Sequence, residues 1–152
     1  GVSALARSLA SEYGITYVTG LAPLSKAGHY GGFIGLQYEN LKEYARLVVQ
    51  NRENGADFIK IMISGLMDFD HYGVLTEAGL PAAQIKELIH IAHEEGMPVM
   101  AHANGAAVIE AAAAADIKEL EGIYRQYEKK YKNNSNFINA VTKRKGELMA
   151  AA

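Results

Sequence analysis

Lys60 and His102 are the two side chains whose type and placement most directly suggest chemistry. Each sits in an apolar run, Phe58-Ile59-Lys60-Ile61-Met62-Ile63 and Pro98-Val99-Met100-Ala101-His102, and a glycine-containing turn follows each run. Near-continuous apolar runs bounded by turn signals predict strands buried on both faces of a parallel sheet. In strand-helix-strand proteins, ligands and metals collect at the carboxyl ends of such strands, where the departing loops form the crevice. Neighbouring parallel strands lie about 5 Å apart, so two strand-end side chains can reach one metal ion or two bridged ions. An ammonium in a low-dielectric interior costs several kcal/mol, so Lys60 is expected to be paired, neutral, chemically modified or placed at the wet end of its strand. The plainer alternative is a snorkelling lysine. For His102 it is a hydrogen-bonded core histidine, against which the small neighbours Ala101, Ala103 and Gly105 leave room beside the ring.

Further candidates lie in loops. His29 and Tyr30 belong to Gly28-His29-Tyr30-Gly31, within a glycine-rich segment from Gly20 to Tyr38 read as one long loop, and such loops inside compact domains usually serve function or motion. Tyr30 and Tyr72 are candidate substrate contacts because both loops leave the carboxyl edge of the sheet. His71, with Asp68 and Asp70, could form a site, although an acidic loop is the simpler reading. His90 and His93 stand three apart on an outer-layer helix and read as ordinary helix residues. There are no cysteines, so disulfides and thiolate metal sites are excluded and His, Asp, Glu and a modified Lys remain as ligands.

The elements that must position these residues follow from periodicity. Leu5, Leu9 and Tyr13 predict a short helix over 3–13 that Gly14 caps, and Ile15-Thr16-Tyr17-Val18-Thr19 predicts a first strand. Leu41, Tyr44, Ala45, Val48 and Val49 predict a helix from Asn40 to Asn54, closed by Gly55. Pro81 opens a helix over 81–95 that Gly96 ends, and Ala106 to Ala115 form another. Helix and strand alternate from residue 3 to 115 without a hairpin signal, which predicts parallel strands with right-handed crossovers. Beyond Ala115, helices are expected over 117–132 and 136–151, parted by Asn133-Asn134-Ser135.

Composition narrows the partners. With 152 residues and 49% apolar content the chain holds one core, and it is too short for a complete eight-stranded α/β barrel. The net charge is -2, with no basic cluster before residue 116, so a small-molecule substrate is expected rather than nucleic acid or a membrane. Residues 116–152 carry eight Lys or Arg against five acidic residues, which makes that tail +3 and leaves the first 115 residues at -5. Lys143-Arg144-Lys145 reads as a solvated helix face. No apolar run approaches the roughly 20 residues of a membrane helix, and Gly1-Val2-Ser3 has no signal-peptide form. The expected compartment is the cytoplasm, and a start without Met suggests a fragment, a processed chain or a tag remnant.

Two stretches, Gly55-Ala56-Asp57-Phe58-Ile59-Lys60-Ile61 and Ala92-His93-Glu94-Glu95-Gly96-Met97-Pro98-Val99-Met100-Ala101-His102-Ala103-Asn104-Gly105, together resemble the central part of the metal-dependent amidohydrolase superfamily. The group it resembles contains imidazolonepropionase-like and prolidase-like hydrolases, and the likeness covers most of residues 15 to 115. The resemblance implies a partial (β/α)8 TIM barrel of parallel strands with a helical C-terminal tail. Residues 1–115 would then be central βα units and 116–152 a helical segment of the same domain.

By the same resemblance, Lys60 matches the lysine on the family's fourth strand that is carboxylated to bridge two metals, and His102 the metal-binding histidine of the fifth. His29 is placed near the substrate. The implied cofactor is a divalent metal, zinc foremost, as two ions bridged by carboxylated Lys60. A carbamate is anionic and offers two hard oxygens, which removes the buried-cation problem while supplying the bridge. The implied reaction is hydrolysis of a C–N bond in an amide, cyclic amide or dipeptide-like substrate by a metal-activated water.

Three family features have no counterpart. The His-x-His of the first strand and the Asp of the eighth are absent, and Asp116-Ile117-Lys118-Glu119-Leu120 stands where a Glu-His-Gly-like motif is expected. A catalytically silent half-barrel is therefore the alternative expectation, with open sheet edges that favour a homo-oligomer. A complete flavodoxin-type domain ranks last, because no phosphate-cradling glycine motif follows any strand.

Overall fold

Two adjacent apolar strands carry the two candidate side chains. The computed structural model describes residues 2–113 together with 115, 135, 138, 139, 142, 143, 145 and 146. Helix α1 spans Val2–Glu12, and strands β1 and β2 span Leu24–Lys26 and Leu36–Tyr38. Helix α2 (Leu41–Glu53), strand β3 (Ile59–Met62), helix α3 (Ala82–Glu94) and strand β4 (Val99–His102) follow, and residues 106–113 form helix α4. The strands make one sheet in the order β2-β1-β3-β4, and every pairing is parallel. The expected parallel pairing therefore holds for the described residues, and the expected alternation is broken where β2 follows β1 with no helix between them. The boundary at residue 116 and the helices expected over 117–132 and 136–151 lie almost wholly outside them.

Two expectations are corrected. Residues 15–19 are not a strand, and the segment from Gly20 to Tyr38 is not one loop, since it contains β1 and β2. Ile15 and Val18 are each 60% exposed, and the end of the run meets only the turn ahead of β3. There Thr19 N donates to Asp57 Oδ2 at 2.8 Å and Asp57 N donates to Thr19 O at 2.9 Å. β-Branched residues favour an extended backbone, but pairing and burial decide a strand. Pairing falls instead on Leu24-Ser25-Lys26, set between Pro23 and Gly28.

The helices begin and end as their residues dictate. Asn40 caps α2 by accepting from Glu43 N at 3.0 Å, and the Glu43 carboxylate reaches back to accept from Glu39 N, ahead of the cap, at 2.9 Å, so the entry to the helix is held from both sides. Gly14, Gly55 and Gly96, each just beyond a helix, take the left-handed conformation. The buried face of α2 is Tyr44, Leu47, Val48 and Asn51, a slight rotation from the expected stripe. Tyr44 is fully buried, its ring 5.0 Å from that of Tyr38, and its hydroxyl donates to Leu88 O at 3.0 Å, which locks α2 to α3. Burial raises the pKa of both tyrosines, so they stay neutral.

Strand alternation sorts the sheet into two faces. Leu24, Ile59 and Ile61 point into the core with Tyr44, Val48, Ile85, Leu88 and Ala92 of α2 and α3, and all eight are fully buried. The opposite face carries Ser25, Lys60, Met62, Met100 and His102, and Met100 is 51% exposed there. Helix α1 buries no residue and is tied on by Arg7, which donates to Gly55 O at 2.6 Å and pairs with Asp57.

Candidate functional site

His102 is the last residue of β4, so its side chain stands at the carboxyl edge, where strand β3 gives way to Ser64 and Gly65. Parallel register pairs it with Met62, and it pairs Lys60 with Met100. The two candidate residues are thus not at equivalent places: both project from the same face, but Lys60 lies two residues deeper. At about 3.3 Å per strand residue the offset is one full pleat repeat, within the compass of a flexible four-carbon stem. Burial lowers the Lys60 pKa below its ordinary value, because desolvation disfavours the ammonium.

A small polar network fixes the histidine. His102 Nε2 lies 3.2 Å from Gly65 O and 3.2 Å from Asn104 Nδ2, while Asn104 Nδ2 donates to Gly65 O at 2.8 Å. Asn104 N donates to Ser64 Oγ at 2.7 Å, so the turn after β4 is fastened to the turn after β3. With its proton on Nε2 the ring donates to the Gly65 carbonyl, and with its proton on Nδ1 it accepts from Asn104. Asn104 entered the sequence reading only as part of a motif, and its role as a partner of His102 emerges from the fold.

The loop over residues 27–35 folds down onto this face. Gly31 has φ +105°, and a Cβ there would lie 2.5 Å from Met62 Cγ, so only glycine permits the approach. Tyr30 thereby comes to rest with its ring 5.0 Å from the His102 ring at a 39° tilt, and 5.6 Å from Phe33. Glu77, which no sequence signal marked, reaches across from the 64–79 loop. Its Oε1 accepts from Tyr30 N at 2.6 Å and lies 3.8 Å from His29 Nδ1.

Of the expected site residues, the fold brings Tyr30 against His102 and His29 against the same carboxylate that holds Tyr30. Tyr72 stands apart with a fully exposed ring. Asp68 Oδ1 accepts from Asp70 N at 2.8 Å and His71 N at 3.2 Å, and its Oδ2 meets His71 Nδ1 at 3.1 Å. These bonds hold the Asp68 carboxyl below its usual pKa. His90 pairs with Glu94 at 3.3 Å along its helix.

Among the described residues no group of three or more His, Cys, Asp or Glu side chains is placed to hold a metal ion. The His102 imidazole suits a divalent ion in kind, whereas Lys60 would offer oxygen ligands only once carboxylated, since an ammonium has no lone pair to give; on one face of adjacent strands the two would supply only part of a shell. The Nε2 position of His102 is occupied by the Gly65 and Asn104 contacts.

A parallel sheet with one helical layer and its polar side chains at the carboxyl edge is the architecture of a barrel segment. No family model matches the chain, and no curated protein does. Solved structures do match. A. niger ochratoxinase has a TM-score of 0.57 at 22% identity, covering 76% of this chain and 32% of that one. A Xaa-Pro dipeptidase with bound methionine in its active site has a TM-score of 0.57 at 19% identity, covering 75% and 32%. An uncharacterised protein has a TM-score of 0.56 at 22% identity, covering 70% and 31%. The chain thus spans about a third of the length of these structures. At such identities the likeness is one of fold, and the fold is that of a partial barrel of parallel βα units.

Proposed function

We propose that this chain is the central part of a metal-dependent amidohydrolase that hydrolyses a C–N bond in an amide, cyclic amide or dipeptide-like substrate. The observation that carries the reading is the projection of Lys60 and His102 from one face of adjacent parallel strands, His102 at the carboxyl edge and Lys60 two residues deeper. The likeness of fold to a dipeptidase and an ochratoxinase supports it. Lys60 and His102 would hold the divalent metal, zinc in this reading, which when bound supplies Lewis acidity and a water of lowered pKa. Carboxylation would convert Lys60 from a costly partly buried cation into an anionic oxygen ligand. In this reading Tyr30, whose ring packs on His102, and His29 would contact substrate beside the metal, and the exposed Tyr72 would do so from the 64–79 loop.

Elemental analysis of the full-length enzyme tests this. About two divalent ions per chain are expected, with loss on Lys60→Ala or His102→Ala, as deletion of a direct ligand requires. Unchanged metal content in both variants overturns the assignment.

A second reading is favoured by the half-exposed Met100 on the open sheet face: the 152-residue chain alone is a silent structural module. Hydrolysis of an amide by the purified chain with added zinc or manganese contradicts it.

A further inference from the structure

We infer that Glu77 is the positioning residue of the site, the clamp that sets the His102 imidazole by holding two of the three groups that touch it, Asn104 being the third. The first is Tyr30, whose ring lies on His102 and whose backbone N–H is held by Glu77 Oε1 at 2.6 Å. The second is Gly65, whose carbonyl meets His102 Nε2 at 3.2 Å. Gly65 is buried directly under the Glu77 stem, since a Cβ on it would fall 2.5 Å from Glu77 Cγ.

The clamp is itself braced. The 64–79 loop returns on itself through a bridge between Met67 and Leu75, with Thr76 N donating to Leu66 O at 2.9 Å and Leu66 N donating to Thr76 Oγ1 at 3.0 Å. Glu77 is the next residue, on the arm fixed by those bonds. Its carboxylate spans from one loop to the other, and His29 Nδ1 at 3.8 Å adds attraction when that ring is charged. A bond from a charged acceptor to a backbone N–H is among the stronger kinds and holds direction as well as distance. Side chains around a metal-binding histidine commonly set its orientation. The value of that orientation rests on the function proposed above, whereas the contacts do not.

Aromatic-proton NMR of the 152-residue chain reads the clamp without metal or substrate. The His102 ring protons should carry a ring-current shift from Tyr30, defined as the part lost in Tyr30→Leu. Glu77→Gln keeps the reach and an acceptor oxygen, so it should retain the shift. Glu77→Asp keeps the charge but is one methylene shorter, so it should lose most of the shift, as should Glu77→Ala. Methyl signals of Ile59, Ile61 and Leu88 report whether the core is intact. If Glu77→Ala unfolds, the Gln and Asp pair decides. A shift unchanged in Glu77→Asp, or lost equally in Glu77→Gln, overturns the clamp. Retention and loss as expected, beside metal content unaffected by His102→Ala, would leave the clamp standing and the hydrolase reading fallen.

Discussion

Lys60 is where the chemistry of the site and the stability of the fold conflict. Its pKa is lowered by desolvation, so the folded state releases its proton at a lower pH than the unfolded state. Between the lowered value and the ordinary one of 10.5 the unfolded chain binds more protons, and stability rises with pH. Below that window the burial cost is fully present. Lys60→Met, which keeps the stem and removes the charge, should therefore raise the urea midpoint at neutral pH. Its advantage over the wild type should shrink as pH climbs toward the ordinary lysine value, and midpoints measured from pH 7 upward in steps check this. A constant advantage across the range would show that the ammonium is not what the sheet resists.

At the level of elements, the helices were legible because their signals are local. Asn40, Gly55, Pro81 and Gly96 stand at or beside the helix ends, and each acts through its own backbone or cap. Asn40→Ala should cost about 1 kcal/mol in chemical denaturation and Asn40→Gly only a few tenths, since glycine leaves the turn open to water. Equal costs would mean the Asn40 side chain does not cap. The strands were legible only where long apolar runs announced them, in β3 and β4. β1 and β2 are three residues each and are strands only because Leu24 pairs with both Leu36 and Ile61, a relation between distant segments that periodicity cannot show. The same holds for the site. Lys60 and His102 were readable from their runs, whereas the two-residue offset is a matter of register and Glu77 a matter of loop packing.

The whole molecule presents its sheet unevenly. Among the described residues α2, α3 and α4 pack into the core on one face, while the other exposes Met100 beside Lys60 and His102. Strands β2 and β4 are the outermost of the described sheet, and an unpaired strand edge invites further pairing. Sedimentation of the 152-residue chain should show association that strengthens with concentration, whereas a clean monomer across the range would show that the open face and edges are covered. The tie between Tyr44 and Leu88, with the wholly parallel pairing, has a further consequence that concerns time. No two neighbouring strands here can meet through a tight turn: β1 must wait for Ile61, and β3 must wait for Val99. The β1–β3 and β3–β4 pairings each require closing a long connection before any contact repays it, whereas β1 and β2 join across residues 27–35, and topologies with such distant pairings fold slowly. During synthesis the sheet stays incomplete until the segment bearing His102 has left the ribosome. The candidate site and the last strand of the described sheet therefore come into being in the same step.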